Sequence, residues 1–160
     1  MEEFLEKIGV DTMDEHGVRQ MNPLVLAYIG DSVYDLYVRT YIVHKRKGMV
    51  NELNKKAVNF VKAGSQSFAV KAMDSFLTAE EKGMIRRGRN QKSISVPRNA
   101  NMSEYRYATG FESMLGALFL RGDKSRIQDI MIEAIHAIEN RETIEREMME
   151  IKKGGDQDES

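Results

Sequence analysis

The sequence predicts an all-α domain, on three observations. Only Pro23 and Pro97 interrupt its 160 residues. Helix-forming residues dominate the rest. Apolar residues recur three and four positions apart over most of the chain, which is the helical period. At this length a single domain is expected, large enough to bury a core without a staple.

Asn22-Pro23 opens the first strong helix, with Asn as cap and Pro at the first helical position. The helix runs to about Lys47 and stops at Gly48. Its apolar residues, from Leu24 and Tyr28 to Tyr41 and Ile42, lie on nearly every face, as expected of a central element. A second helix starts near residue 50 on Val50, Leu53, Ala57 and Phe60. It continues through Phe68, Met73 and Phe76, with Gly64 as the expected break. Thr78-Ala79-Glu80-Glu81 is a capping box that opens a helix to about Arg87. Residues 88–103 form a polar, basic loop, long for a compact domain and of the kind that carries function. A helix follows over Glu104–Leu120. Asp123 is expected to cap the next one, whose apolar side is Ile127, Ile130, Met131, Ala134 and Ile138. Residues 141–160 read as a charged helical extension that frays into a disordered tail from Gly154.

Composition excludes several classes of chemistry. There is no Cys, hence no disulfide scaffold, thiolate zinc site or Cys nucleophile, and a reducing compartment fits. The N-terminus is acidic where a secretory signal is basic. The most apolar window, Leu24 to Val43, holds Asp31, Asp35 and Arg39, too much charge for a membrane span. A cytoplasmic protein with no membrane partner is expected. His16, His44 and His136 sit in polar or helix-end settings and read as bystanders, leaving no basis for zinc or a Ser triad.

The net charge of −1 conceals an uneven distribution. Residues 1–16 set six acids against Lys7. Residues 39–62 hold seven cations, Arg46 among them, against Glu52. Residues 86–106 hold Arg86, Arg87, Arg89, Lys92, Arg98 and Arg106 against Glu104. Residues 141–160 return to net negative. Two basic stretches between acidic ends suit a polyanion on one face; the plainer alternative is charge scattered over solvated helices.

Two carboxylates stand where apolar residues are expected. Asp31 interrupts Leu26-Ala27-Tyr28-Ile29-Gly30-Asp31-Ser32-Val33-Tyr34-Asp35, and Glu112 interrupts Gly110-Phe111-Glu112-Ser113-Met114-Leu115-Gly116-Ala117. Buried acids are costly unless paired, protonated or bound to a cation. The small residues Gly30, Ser32, Gly110, Ser113 and Gly116 would let the two helices approach closely. Two inward carboxylates on adjacent helices make the oxygen-rich site that Mg²⁺ prefers. The alternative for the first segment is an Asp35–Arg39 surface ion pair, with Asp31 capping neighbouring backbone.

These two segments resemble the signature helix and the second catalytic segment of the ribonuclease III endonuclease-domain family. The match is closer to its Mini-ribonuclease III form, which lacks the double-stranded-RNA-binding domain. The resemblance runs from about Asn22 to Ile138 and includes Arg86-Arg87-Gly88-Arg89-Asn90 and Tyr105-Arg106-Tyr107. It implies a ribonuclease III endonuclease-like helical domain over residues 1–140. It also implies a homodimer that cleaves double-stranded RNA with Mg²⁺, or Mn²⁺ in its place. Asp31 and Glu112 would be the catalytic, metal-holding carboxylates, joined by Asp35 through a water. Tyr28 would be the aromatic that docks into the partner copy. Two further acidic positions of the full-length enzymes fall on Ala27 and Thr109, which cannot serve as anionic ligands. Arg86, Arg87, Arg89, Lys92, Arg98 and Arg106 would line the RNA. Duplex RNA is read mostly by shape, so sequence preference is not legible here. The implied substrate is the precursor of large-subunit (23S) ribosomal RNA, with a ribosomal protein on the substrate as a possible further partner. The rival reading is a non-catalytic ribonuclease III-like module that binds RNA in ribosome assembly. Retention of both Asp31 and Glu112 argues against it.

Overall fold

A computed structural model describes residues 1–45, 47–92 and 95–158, with side chains described to Lys153. Arg46 of the first basic stretch, Ser93 and Ile94 of the expected loop, and Glu159 and Ser160 of the expected tail lie outside the described residues. All regular structure among the described residues is helical: α1 (Glu2–Lys7), α2 (Glu15–Gln20), α3 (Pro23–Lys45), α4 (Val50–Val61), α5 (Ala63–Ala72), α6 (Ala79–Arg89), α7 (Met102–Leu120), α8 (Lys124–Glu139) and α9 (Arg141–Asp158). No helix among them is long and apolar enough to cross a membrane.

The central element is α7, which packs against α2, α3, α5, α6 and α8. Its buried run from Ala108 to Leu118 is interrupted only by Glu112. Phe111, Met114 and Leu115 meet Tyr34 and Val38 of α3 and Ile127, Ile130 and Met131 of α8 in one core. The Tyr34 and Phe111 rings meet edge-on at 5.5 Å, and the Tyr34 hydroxyl donates to the Phe60 carbonyl at 2.9 Å. Glycine lets α3 and α7 touch backbone to backbone. A Cβ on Gly30 would lie 1.7 Å from the Glu112 carbonyl oxygen, and one on Gly116 would lie 1.9 Å from that of Leu26.

Several boundaries differ from the sequence reading. Residues 1–20 carry two short helices; Asp14 caps the second by accepting from the Gly17 amide at 2.7 Å. The break between α4 and α5 falls at Lys62, not Gly64. Side chains from the first turn of α5 bind carbonyls in the last turn of α4 and stabilise the kink: Ser65 Oγ donates to Asn59 O and Gln66 Nε2 to Val61 O. Gly64 instead lies under the Glu104 carboxylate. Gly88 and Arg89 belong to α6, with Arg86 and Arg87, rather than to the loop. Gly88 is buried there because a Cβ would strike Gly110 Cα at 2.8 Å. Gly110 and Ser113 thus serve the α6–α7 contact, not the α3–α7 contact, and Ser32 is exposed. Asp123 precedes α8 without a side-chain cap bond, because its carboxylate is held by Arg121 at 2.7 Å. Helix α9 continues past Gly154, where fraying is expected.

The Thr78–Glu81 capping box forms as expected, with both reciprocal bonds present. Glu81 is also buried against Arg126, whose Nε and Nη2 bind its two oxygens at 2.7 and 2.9 Å. That fork ties α6 to α8.

Candidate active site

Gly30 presses its helix onto the Glu112 carbonyl, so Asp31 and Glu112 emerge at the same level of two touching helices. The two differ in environment. Glu112 is largely enclosed between α3 and α5. Burial lifts its pKa to about 7; a hydrogen bond from Gln66 opposes the rise and the Asp31 charge adds to it. Asp31 is exposed, contrary to the expectation of a buried acid, because its side chain leaves α3 on the outer face. Its pKa is still raised, first by partial burial and then by Asp35. The Asp31 charge reaches Glu112, which places the two carboxylates in one electrostatic site. Burial, then the Glu112 charge, likewise hold the Tyr34 phenol well above its usual pKa.

Asp35 lies one turn on, where Arg39 Nε binds its Oδ2 at 2.6 Å. The ion-pair half of the alternative therefore forms, while Asp31 caps no backbone among the described residues, and Arg39 also donates to Asn54 at 3.0 Å. Ala27 and Thr109, where further acids would stand, are both buried, and the Thr109 hydroxyl is spent on the Tyr105 carbonyl at 2.9 Å. Among the described residues no three His, Cys, Asp or Glu side chains converge. Neither Asp31 nor Glu112 takes part in an ion pair with a Lys or Arg there. Two hard-oxygen donors on touching helices, both with raised pKa and neither paired with a Lys or Arg among the described residues, fit a divalent ion such as Mg²⁺.

The basic residues divide into three groups. Arg86 and Arg87 rim a cavity of about 250 Å³ beside Ser113, with Arg19 and Arg121 on the same rim. Arg87 donates to the Arg19 carbonyl at 3.0 Å. Arg89 bonds the Tyr107 hydroxyl at 2.7 Å and lies 4.9 Å from the centre of its ring, while Arg106 donates to the Arg89 carbonyl at 3.3 Å. Lys92 and Arg98 are exposed on the segment between α6 and α7. Among the described residues none of these six pairs with a carboxylate, so their charge is available to a polyanion. Tyr28 is 81% exposed. With Val25, Leu36 and Val43 it makes an apolar strip along the outer side of α3.

The sequence reading misses two residues. Lys71 of α5 sits 4.9 Å from the same Tyr107 ring as Arg89, which brings a second cation to that tyrosine. Gln66, buried in α5, donates to Glu112 at 3.1 Å. Its signal is of the kind that exposes Asp31 and Glu112, a polar side chain on the buried side of a helix; Lys71 gives no such signal.

Fold and site define a class, and comparison with known proteins agrees with it. The Ribonuclease III domain family matches residues 24–123, more than half of the chain. Within that class the chain belongs to the Mini-ribonuclease 3 family of endoribonucleases. It is 45% identical to the Mini-ribonuclease 3 of Thermoanaerobacter sp. over 85% of this chain and 94% of that one. It is 46% identical to that of Clostridium tetani over 76% and 82%. A crystal structure of a protein from Fusobacterium nucleatum superposes with a TM-score of 0.66 at 30% identity, covering 75% of this chain and 96% of that one.

Proposed function

We propose that this endoribonuclease cleaves double-stranded RNA with Mg²⁺, or with Mn²⁺ in its place, and matures the ends of the large-subunit (23S) ribosomal RNA precursor in the cytoplasm. The observation that carries the reading is the uncompensated pair Asp31 and Glu112, held together by glycine-mediated contact of α3 and α7. A divalent ion bound there would supply the charge that activates water and stabilises the negative charge developing on the phosphate. Glu112 offers a fixed, enclosed carboxylate. Asp31 offers an exposed one that faces incoming substrate. Asp35 adds negative charge beside Asp31 and can join through a water, at the expense of its Arg39 contact. Ribosomal RNA as substrate, and a ribosomal protein bound to it, are what the family resemblance implies.

The phosphate backbone would be tracked by Arg86, Arg87, Arg89, Lys92, Arg98 and Arg106, with Lys71 extending the basic surface onto α5. A duplex has two strands to cut, so two copies of the site are needed on one substrate. The outer strip of α3 is the surface for a second copy, with Tyr28 at its centre. Residues 1–140 form the catalytic unit and 141–160 an extension of it. The decisive experiment incubates the protein with structured precursor RNA in Mg²⁺ and in chelator. Cleavage by the parent in Mg²⁺ alone, lost in Asp31→Asn and in Glu112→Gln, is expected. Cleavage at the parental rate by either variant would overturn the assignment.

A further inference from the structure

Gln66 has an unusual hydrogen-bond arrangement. It is 2% exposed, on the first turn of α5. Its Nε2 donates both to the Val61 carbonyl at 2.9 Å and to Glu112 Oε1 at 3.1 Å. Both partners are acceptors, so the amide cannot be inverted without setting oxygen against oxygen. Its own Oε1 is buried and meets no donor, alone among the buried side-chain N and O atoms of the described residues. A Met side chain would fill a similar volume without stranding an acceptor. What the amide provides, and no apolar residue could, is an N–H aimed at Glu112. The α4–α5 kink at Lys62 delivers it there.

Glu112 is consequently held at both ends. Gly30 of α3 packs against its backbone carbonyl, and Gln66 of α5 grips one carboxylate oxygen. Oε1 carries this hydrogen bond, while Oε2 accepts none among the described residues and is open to a cation. We propose that Gln66 is a positioning residue that orients the Glu112 carboxylate to receive a divalent cation. The inference rests on the endonuclease reading above.

The test measures Mn²⁺ binding to RNA-free protein, by the loss of the free-ion paramagnetic resonance signal, for the parent, Gln66→Met and Ser65→Ala. A partner that orients a metal ligand typically contributes about 10–100-fold in affinity. Gln66→Met should therefore raise the Mn²⁺ dissociation constant about 10–100-fold. The Mn²⁺ concentration for half-maximal cleavage should rise by a similar factor, with little change in KM for RNA. Ser65→Ala also removes a bond across the kink, Ser65 Oγ to Asn59 O, but Ser65 makes no bond to Glu112; it should bind Mn²⁺ like the parent. If Gln66→Met melts below the assay temperature, Gln66→Asn replaces it with the same expectation, because the shorter amide cannot span Val61 and Glu112 together. Parental Mn²⁺ affinity in a folded Gln66 variant overturns the inference. So does an equal loss in Ser65→Ala, which would place the effect in the kink. A parent that fails to cleave RNA at all would instead overturn the endonuclease reading.

Discussion

At the scale of single residues, the site depends on how unlike its two acids are. Glu112 titrates near 7 in the folded chain and near 4.5 when unfolded. A carboxylate whose pKa is raised by folding contributes stability below the unfolded value and loses it as pH rises through the folded one. Metal-free protein should therefore lose stability between about pH 4.5 and 7. Glu112→Gln should remove most of that loss and raise stability at pH 8 by on the order of 2–3 kcal/mol. Thermal melts in chelator at pH 5 and pH 8 check this; a parent equally stable at both would show that Glu112 ionises freely. Glu81 has the opposite sign. Burial alone would raise its pKa, but the Arg126 fork and the Thr78 amide outweigh it and hold the carboxyl below its usual value. Its contribution is present above the unfolded pKa and fades as pH falls. Arg126→Met leaves the Glu81 charge buried and unpaired, at a cost of about 3 kcal/mol in denaturant unfolding at pH 7.

At the scale of elements, glycine decides which helices touch. Gly30 and Gly116 join α3 to α7, and Gly88 and Gly110 join α6 to α7. Gly116→Ala would drive a methyl into the Leu26 carbonyl oxygen at 1.9 Å, where only backbone can move. A loss of about 3 kcal/mol or more is expected, with cleavage falling in parallel because the same contact sets the spacing of Asp31 and Glu112. Helix α6 extends past Arg87 and carries Arg86, Arg87 and Arg89 on one support. Replacing the three by Ala should weaken duplex binding in Ca²⁺, used to suppress cleavage. Each lost phosphate contact should flatten the salt dependence by about 0.9 in log–log slope. Turnover at saturating RNA should stay near the parental value. Unchanged affinity and slope in the triple variant would remove α6 from the interface.

At the scale of the whole molecule, α3 leaves part of its apolar surface exposed. Its inner side supplies Tyr34, Val38 and Ile42 to the core, while Val25, Tyr28, Leu36 and Val43 face outward. A second copy would cover these residues and set two acid pairs on one duplex. Sedimentation at micromolar concentration should give a dimer for the parent. Tyr28→Glu should give the 18.3 kDa monomer, folded but poorly active. A monomeric parent would exclude the symmetric arrangement.

Periodicity and punctuation made much of this protein legible in its sequence. The all-helical class, α3 from Asn22-Pro23, the Thr78–Glu81 box and the apolar side of α8 all follow from contacts within three or four residues, which are local and carry their own signal. Asp31 and Glu112 stood out because a carboxylate among apolar neighbours violates the same local rule. The sequence could not tell which glycine meets which helix, so Gly110 and Ser113 face α6 and Gly88 is a packing residue. Nor could it show that Asp31 points outward while Glu112 points in, or that the chain bends at Lys62 and brings Gln66 under Glu112. Each of those depends on partners 22 to 90 residues away in sequence, or on how neighbouring side chains share the last carbonyls of a helix. Such contacts are chosen by the packing of α7 against its neighbours, and no local pattern records that choice.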